Sequence, residues 1–342
     1  MEVKDKVEVI INDNMKIKMN YGDSLLSNLR EQKIFIPSAC GGRSMCGYCK
    51  LKINEGADEV KPMDKRWLSE EELEKNYRLA CQLKVKNKLK IEIPEKIFKI
   101  EEFEGEVIEI KPLTERIKKF VIQLPEGKNL DYKPGQFVQV RIPSYKKIDD
   151  YKGNPREIYR TFSLASNIKD TTKVELIIGF TGGFGTTYLH KILKVGDMLK
   201  FNGPHGYFYY QEDDSDIVFA ATGTGYSPIR AILYYMRDKN IKRRARFYFG
   251  ARTPDDLFLS NEMKMFEKEL YDFKYMPTLS RVTEDIDWQG DRGRVNVSID
   301  KYLDENKDYS AYLCGSSKVI ETVVNALVDK NVSKDKIYYD KF

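Results

Sequence analysis

The sequence predicts a multidomain α+β and α/β protein, and three observations lead to this prediction. The chain has 342 residues, more than a single hydrophobic core usually supports. Short alternating apolar runs dominate up to residue 211, which is typical of antiparallel strands. After residue 216, apolar strand-like runs alternate with helical stretches, which is typical of a parallel α/β unit. We therefore predict three domains, over residues 1–97, 98–212 and 213–342.

The composition excludes several classes of protein. Lys and Arg number 58 against 53 Asp and Glu, and the two signs are mixed along the chain, so we expect no nucleic-acid partner. No apolar run approaches the roughly 18 residues of a transmembrane segment, and Met1–Asp13 lacks the pattern of a signal peptide. Five cysteines, four of them in the first quarter of the chain, suit metal chemistry in a reducing compartment. We expect a cytoplasmic protein, with any membrane attachment made peripherally through a partner.

The first domain is predicted to mix short strands with short helices. Two alternating runs within the first twenty residues predict a hairpin, and Asp23 or Ser24 can cap the helix that follows. Alternation over 83–85, and again over 89–93, predicts two more strands.

The second and third domains differ in the period of their apolar residues. Short runs broken by Pro and Gly over 103–211 predict an antiparallel barrel. In the third domain we expect a strand over 217–221, a turn at Gly223–Gly225, a helix over Pro228–Met236 and a further strand over 246–249. This strand, turn, helix and strand sequence predicts parallel pairing.

Four cysteines are spaced to wrap a small metal cluster. Cys40, Cys46 and Cys49 share one glycine-containing loop, with five and two residues between them, and Cys81 follows further along the chain. Glycines let backbone N–H groups approach the sulfur atoms closely. The spacing resembles that of plant-type ferredoxins, with one additional residue after Cys40, and so predicts a [2Fe-2S] cluster. A structural zinc site and unliganded buried cysteines are the alternatives.

A candidate flavin motif lies in the second domain. Arg160-Thr161-Phe162-Ser163 resembles the Arg-x-Tyr-Ser motif of the ferredoxin-NADP reductase superfamily, with Phe162 in the place of Tyr. Arginine can pair with a pyrophosphate, the aromatic ring can cover a flavin face, and the serine hydroxyl can donate to flavin N5. A Gly-Thr loop some twenty residues later can bind phosphate. The resemblance implies FAD rather than FMN, held by Arg160, Thr161, Phe162, Ser163, Ile178, Gly182, Gly183, Gly185, Thr186 and a C-terminal aromatic lid, Phe342.

A candidate nicotinamide site lies in the third domain. A Gly-x-Gly-x-x-Pro turn that follows a strand and opens a helix is the context of dinucleotide binding. Asp255 and Asp256 would repel a 2′-phosphate, which favours NADH, whereas Arg252 leaves NADPH open. The residues expected at the dinucleotide are Gly223, Thr224, Gly225, Pro228, Gly250, Arg252, Asp255 and Gly315. The superfamily resemblance adds Ser163, Cys314 and Asp340 as the residues at the site of hydride transfer, with the Cys314 thiol as a wall and not a nucleophile.

Taken in order, the three motifs resemble the three-domain reductases that include the F subunit of sodium-translocating NADH:quinone reductase and the reductases of phenol and methane monooxygenases. The resemblance implies a β-grasp ferredoxin domain, an antiparallel β-barrel FAD domain and a parallel-sheet NAD domain. It implies hydride transfer from NADH to FAD, then single electrons through the cluster to a redox partner protein or a quinone.

Two alternatives to this function stay open at the level of the sequence. One is a redox-sensing or docking protein that binds the same cofactors without turnover. The other is a peripheral electron-input subunit of a membrane quinone reductase. The N-terminal membrane helix of the sodium pump's F subunit has no counterpart in the sequence, so we expect a soluble electron-supply component.

Overall fold

The computed structural model describes residues 5–283 and 286–341, which form three sheets that follow one another along the chain. The first sheet has five strands and the other two have six each. Separate clusters of buried apolar side chains lie under the first and second sheets and on the two faces of the third. Within the described residues, every helix is too short or too polar to cross a membrane.

The first sheet is mixed, with the strand order β2-β1-β5-β3-β4 and a single parallel pair, β1 with β5. Its elements are β1 Lys6–Ile11, β2 Met15–Asn20, α1 Leu25–Glu31, β3 Lys50–Glu55, α2 Pro62–Trp67, α3 Glu70–Glu74, β4 Tyr77–Leu79, β5 Leu89–Glu92 and α4 Glu95–Phe98. The predicted hairpin is confirmed as β1 and β2. The predicted cap is Ser24, whose Oγ accepts from the backbone N–H of Ser27 at 3.1 Å.

The strand predicted over 83–85 is wrong. The residues there make only an isolated bridge, between Lys84 and Ser24. The backbone groups of Leu83 and Val85 are instead bonded to the segment that enters α1, at distances of 2.8 to 2.9 Å. Because these groups cap the start of a helix, they are not available for a ladder with another strand.

The second sheet is antiparallel and curled into a half-barrel. Its elements are β6 Glu101–Pro112, β7 Ile117–Gln123, β8 Phe137–Ile142, β9 Ile158–Ser163, β10 Lys173–Gly179, α5 Phe184–Thr187, which continues as one wider turn over Tyr188–Ile192, and β11 Met198–His205. The strand order is β10-β7-β6-β11-β8-β9, and a bridge between Leu164 and Leu176 draws the two edges together. The predicted antiparallel barrel is therefore confirmed as a curled sheet whose concave face is filled with apolar side chains.

The third sheet is parallel throughout, with the strand order β15-β14-β13-β12-β16-β17. Its elements are β12 Asp216–Thr222, α6 Tyr226–Asp238, β13 Ala245–Ala251, α7 Ser260–Glu269, β14 Phe273–Leu279, β15 Asp291–Arg292, α8 Val295–Tyr302, β16 Tyr309–Gly315, α9 Ser317–Asp329 and β17 Ile337–Lys341. The strand order reverses between β12 and β16. In open α/β sheets, ligands bind at the carboxyl ends of the strands beside such a reversal.

A buried guanidinium joins the third sheet to the second. Arg230, on α6, donates from Nη1 to Glu175 Oε2 at 2.9 Å and to the carbonyl oxygen of Ala165, both outside the third sheet. On its other side it forms two bonds of 2.9 Å with the carboxylate of Glu262, on α7. Burial raises the pKa of Glu262, but Arg230 outweighs that effect and holds the pKa below its ordinary value.

A second junction joins the first sheet to the half-barrel. Arg30, on α1, donates from Nη2 to Gln139 Oε1 at 3.1 Å, and Gln139 Nε2 donates to the carbonyl oxygen of Ile36, also at 3.1 Å. The Arg30 guanidinium also lies over the ring of Tyr159, 4.7 Å from its centroid. Since Gln139 is fully buried, these contacts hold the two sheets in one orientation.

We expect Arg230→Met to lower the free energy of unfolding by about 3–5 kcal/mol, because it leaves the buried Glu262 carboxylate without its partner. The matched control is Arg141→Met, whose partner Glu157 is more than one-third exposed, and which should cost about 1 kcal/mol or less. Urea unfolding of both variants gives the comparison. Equal losses would show that the buried network contributes no more than a surface ion pair.

Candidate functional site

Two thiols of the cysteine loop lie in contact. Cys40 Sγ and Cys46 Sγ lie 3.5 Å apart, and the backbone N–H of Met45 points to Cys40 Sγ at 3.4 Å. Cys81 is brought to the loop because Ala80 donates its N–H to the carbonyl oxygen of Cys49 at 2.8 Å.

The chemistry of this donor set suits an electron-rich sulfur cluster. The Cys46 thiol, followed by backbone N–H groups of the loop, lowers the pKa of Cys40, and the same contact with Cys40 raises the pKa of Cys46. Among the described residues, no three His, Cys, Asp or Glu side chains meet at a point suited to a single metal ion. A [2Fe-2S] cluster is a larger group, which spreads four thiolates over two iron atoms.

Glycines let the cysteine loop pack closely on its surroundings. A Cβ atom on Gly41 would lie 2.3 Å from the carbonyl oxygen of Tyr159 and 2.9 Å from Arg160 Nη1. Gly47, at φ +70°, packs on Trp67, whose Nε1 donates to the carbonyl oxygen of Ser44 at 3.0 Å. The loop therefore lies directly against the strand that carries the predicted flavin motif.

The flavin motif lies on β9, next to the glycine-threonine loop. A Cβ atom on Gly185 would lie 2.6 Å from Arg160 Cγ, so the loop and the arginine approach each other as closely as a glycine allows. Thr186 Oγ1 accepts from the N–H of Thr181 at 3.2 Å and shapes the turn around Gly182 and Gly183. A guanidinium and a tight glycine turn at one place are the residues expected around a diphosphate, so the site fits the phosphates of FAD.

Other predicted flavin residues lie in different surroundings. Ser163 ends β9 opposite Phe137 of β8, and Phe162 is half-buried beside the barrel core. Thr161 donates its hydroxyl to the carbonyl oxygen of Ala39, at the entrance to the cysteine loop. The side chain of Ile178 is buried in the barrel core. Phe342, predicted as the lid, lies outside the described residues.

The nicotinamide turn begins directly after β12, at the reversal of strand order. The turn Gly223–Gly225 runs into α6, where Pro228 is buried in the first helical turn. A Cβ atom on Gly225 would lie 2.2 Å from the carbonyl oxygen of Cys314. The turn is therefore pressed against the end of β16, where the Cys314 side chain is fully buried and Gly315 packs against Thr222.

A cavity of about 670 Å³ opens at the carboxyl ends of β12 and β13. Gly223, Thr224, Gly250 and Arg252 line it, together with Phe180 from the half-barrel. Of the two adjacent aspartates, Asp256 lines the cavity wall and Asp255 does not. The carboxylate of Asp256 accepts from the Thr253 backbone N–H at 3.2 Å, which turns it back onto its own loop.

Three basic residues of the cavity were missed by the sequence prediction. Arg294 precedes α8, Lys318 lies in the first turn of α9, and Arg116 reaches the cavity from the half-barrel. The first two lie at helix N-termini, where backbone N–H groups already favour an anion. Nothing in their local sequence marks them, because they come together only through the sheet order.

An acidic residue lies buried beside Cys314. Asp340, on β17, is the register partner of Cys314 on β16 and is 7% exposed. Burial raises the pKa of Asp340 to about 6. Its Oδ1 lies 3.5 Å from the hydroxyl of Tyr48, which belongs to the cysteine loop. The cysteine loop therefore touches the strand that carries Asp340, one of the predicted hydride-transfer residues.

Three protein families cover most of the chain in this order. Residues 9–86 match the 2Fe-2S iron-sulfur cluster binding domain, residues 104–210 the oxidoreductase FAD-binding domain and residues 219–325 the oxidoreductase NAD-binding domain. These matches identify the [2Fe-2S] cluster, FAD and NADH as the cofactors, and the zinc alternative is set aside.

Relatives and solved structures agree with this order. The F subunit of the Na(+)-translocating NADH-quinone reductase of Idiomarina loihiensis is 30% identical, covering 98% of this chain and 91% of the relative. The corresponding protein from a Marinomonas species is 28% identical with the same coverage. In fold, the chain is similar to the Amycolatopsis cytochrome P450 reductase GcoB, with a TM-score of 0.76, 22% identity and 98% of both chains covered. It is also similar to the ferredoxin reductase in carbazole 1,9a-dioxygenase, with a TM-score of 0.73, 23% identity and coverage of 99% of this chain and 98% of that one.

The predicted β-grasp, half-barrel and parallel-sheet architecture is thus confirmed, and so is the class of reaction. The three cofactor domains are those of an NADH-dependent iron-sulfur flavoprotein reductase. The chain belongs to the family formed by the F subunits of the Na(+)-translocating NADH-quinone reductases.

Proposed function

We propose that this reductase takes hydride from NADH at the third domain and releases the electrons singly, through the cluster of the first domain, to a separate redox protein or quinone. The observation that carries the proposal is direct contact between the sites. Gly41 of the cysteine loop packs on Tyr159 and Arg160 of the flavin strand. A Cβ atom on Gly179, at the end of β10 in the half-barrel, would lie 3.3 Å from Thr224 Cγ2 of the nicotinamide turn. Electron transfer needs close approach, and these contacts supply it without a change of domain arrangement.

We propose the division into domains at 1–97, 98–212 and 213–342, with Cys40, Cys46, Cys49 and Cys81 as the ligands of the cluster. The first two thiols already lie in contact, and the other two are held by the bond between Ala80 and Cys49. Cys40, Cys49 and Cys81 are buried and Cys46 is partly exposed, so a cluster held by these thiols would be largely shielded from solvent.

Arg160 and the loop from Gly182 to Thr186 are proposed to hold the diphosphate of FAD, with Ser163 directed at the flavin ring. When bound, FAD supplies the exchange between a two-electron hydride and single electrons. The Arg160 guanidinium neutralises phosphate charge, and the short turn presents backbone N–H groups. Ser163 is proposed to hold its hydroxyl at flavin N5.

The cavity beside Gly223–Gly225 is proposed to bind NADH. Arg294 and Lys318 lie at helix N-termini in its wall and would neutralise the diphosphate, while Arg252 and Asp256 would meet the adenosine ribose. Cys314 and Gly315 would form the wall behind the nicotinamide. The carboxylate of Asp256 disfavours a 2′-phosphate, so NADH should give a higher kcat/KM than NADPH.

The acceptor is a separate part of the proposal. The chain covers 91% of the F subunit of an NADH-quinone reductase, which supports a role as the electron-input component of a larger assembly, attached to a membrane through a partner. The redox-sensing alternative requires reduced cofactors that never pass electrons on. Mixing the purified protein with NADH and cytochrome c distinguishes the two functions. Repeated reduction of cytochrome c requires that electrons leave the protein, so no reduction by protein that carries its cofactors would refute the reductase function.

Removing one cluster ligand should separate the two halves of the reaction. In Cys49→Ser we expect loss of protein-bound iron and a fall of about tenfold or more in cytochrome c reduction, while ferricyanide, which can take electrons from the flavin, is still reduced. Cys314→Ala is the matched cysteine control and should retain its iron. Full iron content in Cys49→Ser would show that Cys49 is not a ligand.

Asp340 should make the stability of the protein depend on pH. Its pKa is about 6 in the folded state against an ordinary value of 3.8, so the folded protein binds more protons between these values and loses stability as pH rises through them. Asp340→Asn cannot ionise. Its unfolding free energy relative to the unsubstituted protein should therefore increase by about 3 kcal/mol between about pH 4 and pH 7.

Urea unfolding across this pH range measures the difference. Asp329→Asn, at an exposed position at the end of α9, serves as the control for the loss of one surface carboxylate. Parallel pH curves for Asp340→Asn and the unsubstituted protein would refute the burial of an ionising carboxylate.

A further inference from the structure

Tyr48 lies where the three cofactor sites meet. It belongs to the cysteine loop, between Cys46 and Cys49. Its ring is stacked on that of Phe137 in the half-barrel, with an interplanar angle of 12° and a centroid distance of 6.3 Å. Its hydroxyl lies 3.5 Å from Asp340 Oδ1 in the third sheet. One half-buried side chain of the first domain therefore contacts both of the others.

The strand registers show what these contacts lie next to. Phe137, on β8, is directly opposite Ser163, the residue proposed at flavin N5. Asp340, on β17, is directly opposite Cys314, the proposed wall of the nicotinamide site. Tyr48 thus contacts the strand neighbour of Ser163 and the strand neighbour of Cys314. Along the chain it lies between two proposed cluster ligands, two residues after the first and one before the second.

The aromatic ring contributes more to this junction than the hydroxyl. A distance of 3.5 Å is long for a bond between a hydroxyl and a carboxylate, for which 2.5 to 2.8 Å is usual. Behind Phe137, the stack continues to the buried ring of His205 at 5.6 Å, so the tyrosine packs on a rigid support. Removing the ring should therefore loosen the junction, whereas removing only the hydroxyl should change little.

We propose that Tyr48 is a positioning residue for electron exit, which holds the cluster loop against the flavin strand and the nicotinamide wall. This inference rests on the proposed function, because it concerns the transfer from FAD to the cluster. The contact of Tyr48 with Asp340 on the nicotinamide side is long, at 3.5 Å, whereas its ring is stacked on the half-barrel, so we expect loss of the ring to affect transfer to the cluster more than delivery of hydride to the flavin.

The test compares Tyr48→Leu with Tyr48→Phe in stopped-flow experiments that follow flavin reduction and cluster reduction separately after mixing with NADH. We expect Tyr48→Leu to slow cluster reduction about fivefold or more relative to flavin reduction, the factor that corresponds to about 1 kcal/mol of lost aromatic contact. Tyr48→Phe should restore the rate. Tyr21→Leu, at an exposed tyrosine of the same domain, is the matched control.

A second measurement, hydrogen exchange, does not depend on electron transfer. In the oxidised holoprotein without NADH, hydrogen exchange at the amides of 40–49 and 337–341 reports directly on the junction. Both segments should exchange about fivefold faster in Tyr48→Leu and at the unsubstituted rate in Tyr48→Phe. If Tyr48→Leu does not retain iron, Phe137→Leu removes the same ring contact from the barrel side and is judged by the same ratio of rates.

The outcomes separate the inference from the proposed function. If NADH reduces the flavin but never the cluster in the unsubstituted protein, the proposed function fails. If the cluster is reduced there and Tyr48→Leu, or Phe137→Leu in its place, leaves both the rate ratio and the exchange unchanged, only the role of Tyr48 is overturned. Equal slowing of both reductions would also overturn it, since it would show a general loss of structure.

Discussion

The buried Arg230 guanidinium is the interaction on which the arrangement of the redox sites depends. It lies on the helix that begins at the nicotinamide turn and binds Glu175 on β10, the strand that runs into the glycine-threonine loop. A buried charge is expensive unless it is fully paired, so this network allows one orientation of the two domains and penalises others. Hydride transfer requires contact between the nicotinamide and flavin rings, and a fixed orientation of the two domains meets that requirement.

On the side of the cluster, close approach of the cysteine loop to the flavin strand fixes the orientation of the first two domains. Gly41 lies so near Tyr159 that a single methyl group would separate the cysteine loop from the flavin strand. The Arg30 and Gln139 bonds keep the remainder of the first domain in place. The same loop therefore carries three of the four predicted cluster ligands and also packs directly on the neighbouring domain.

Much of the molecule could be predicted locally. The cysteine spacing, the flavin motif and the glycine turn each predict a cofactor because the chemistry depends on neighbours in the chain. Prediction was weaker where folding decides the outcome. The residues at 83–85 alternate like a strand but bond to the entry of α1. Of two adjacent aspartates, Asp256 lines the cavity, which the sequence alone did not distinguish.

The sequence by itself determined the three domains, their order and the cofactor of each, because binding motifs are local patterns of charge, sulfur and glycine. Only the tertiary structure decided how these sites communicate. The cations Arg294 and Lys318 reach one cavity through the order of parallel strands, and Tyr48 meets Asp340, 292 positions away in the chain, through the packing of three domains. Such contacts depend on burial and register between distant segments, which no local pattern of residues records.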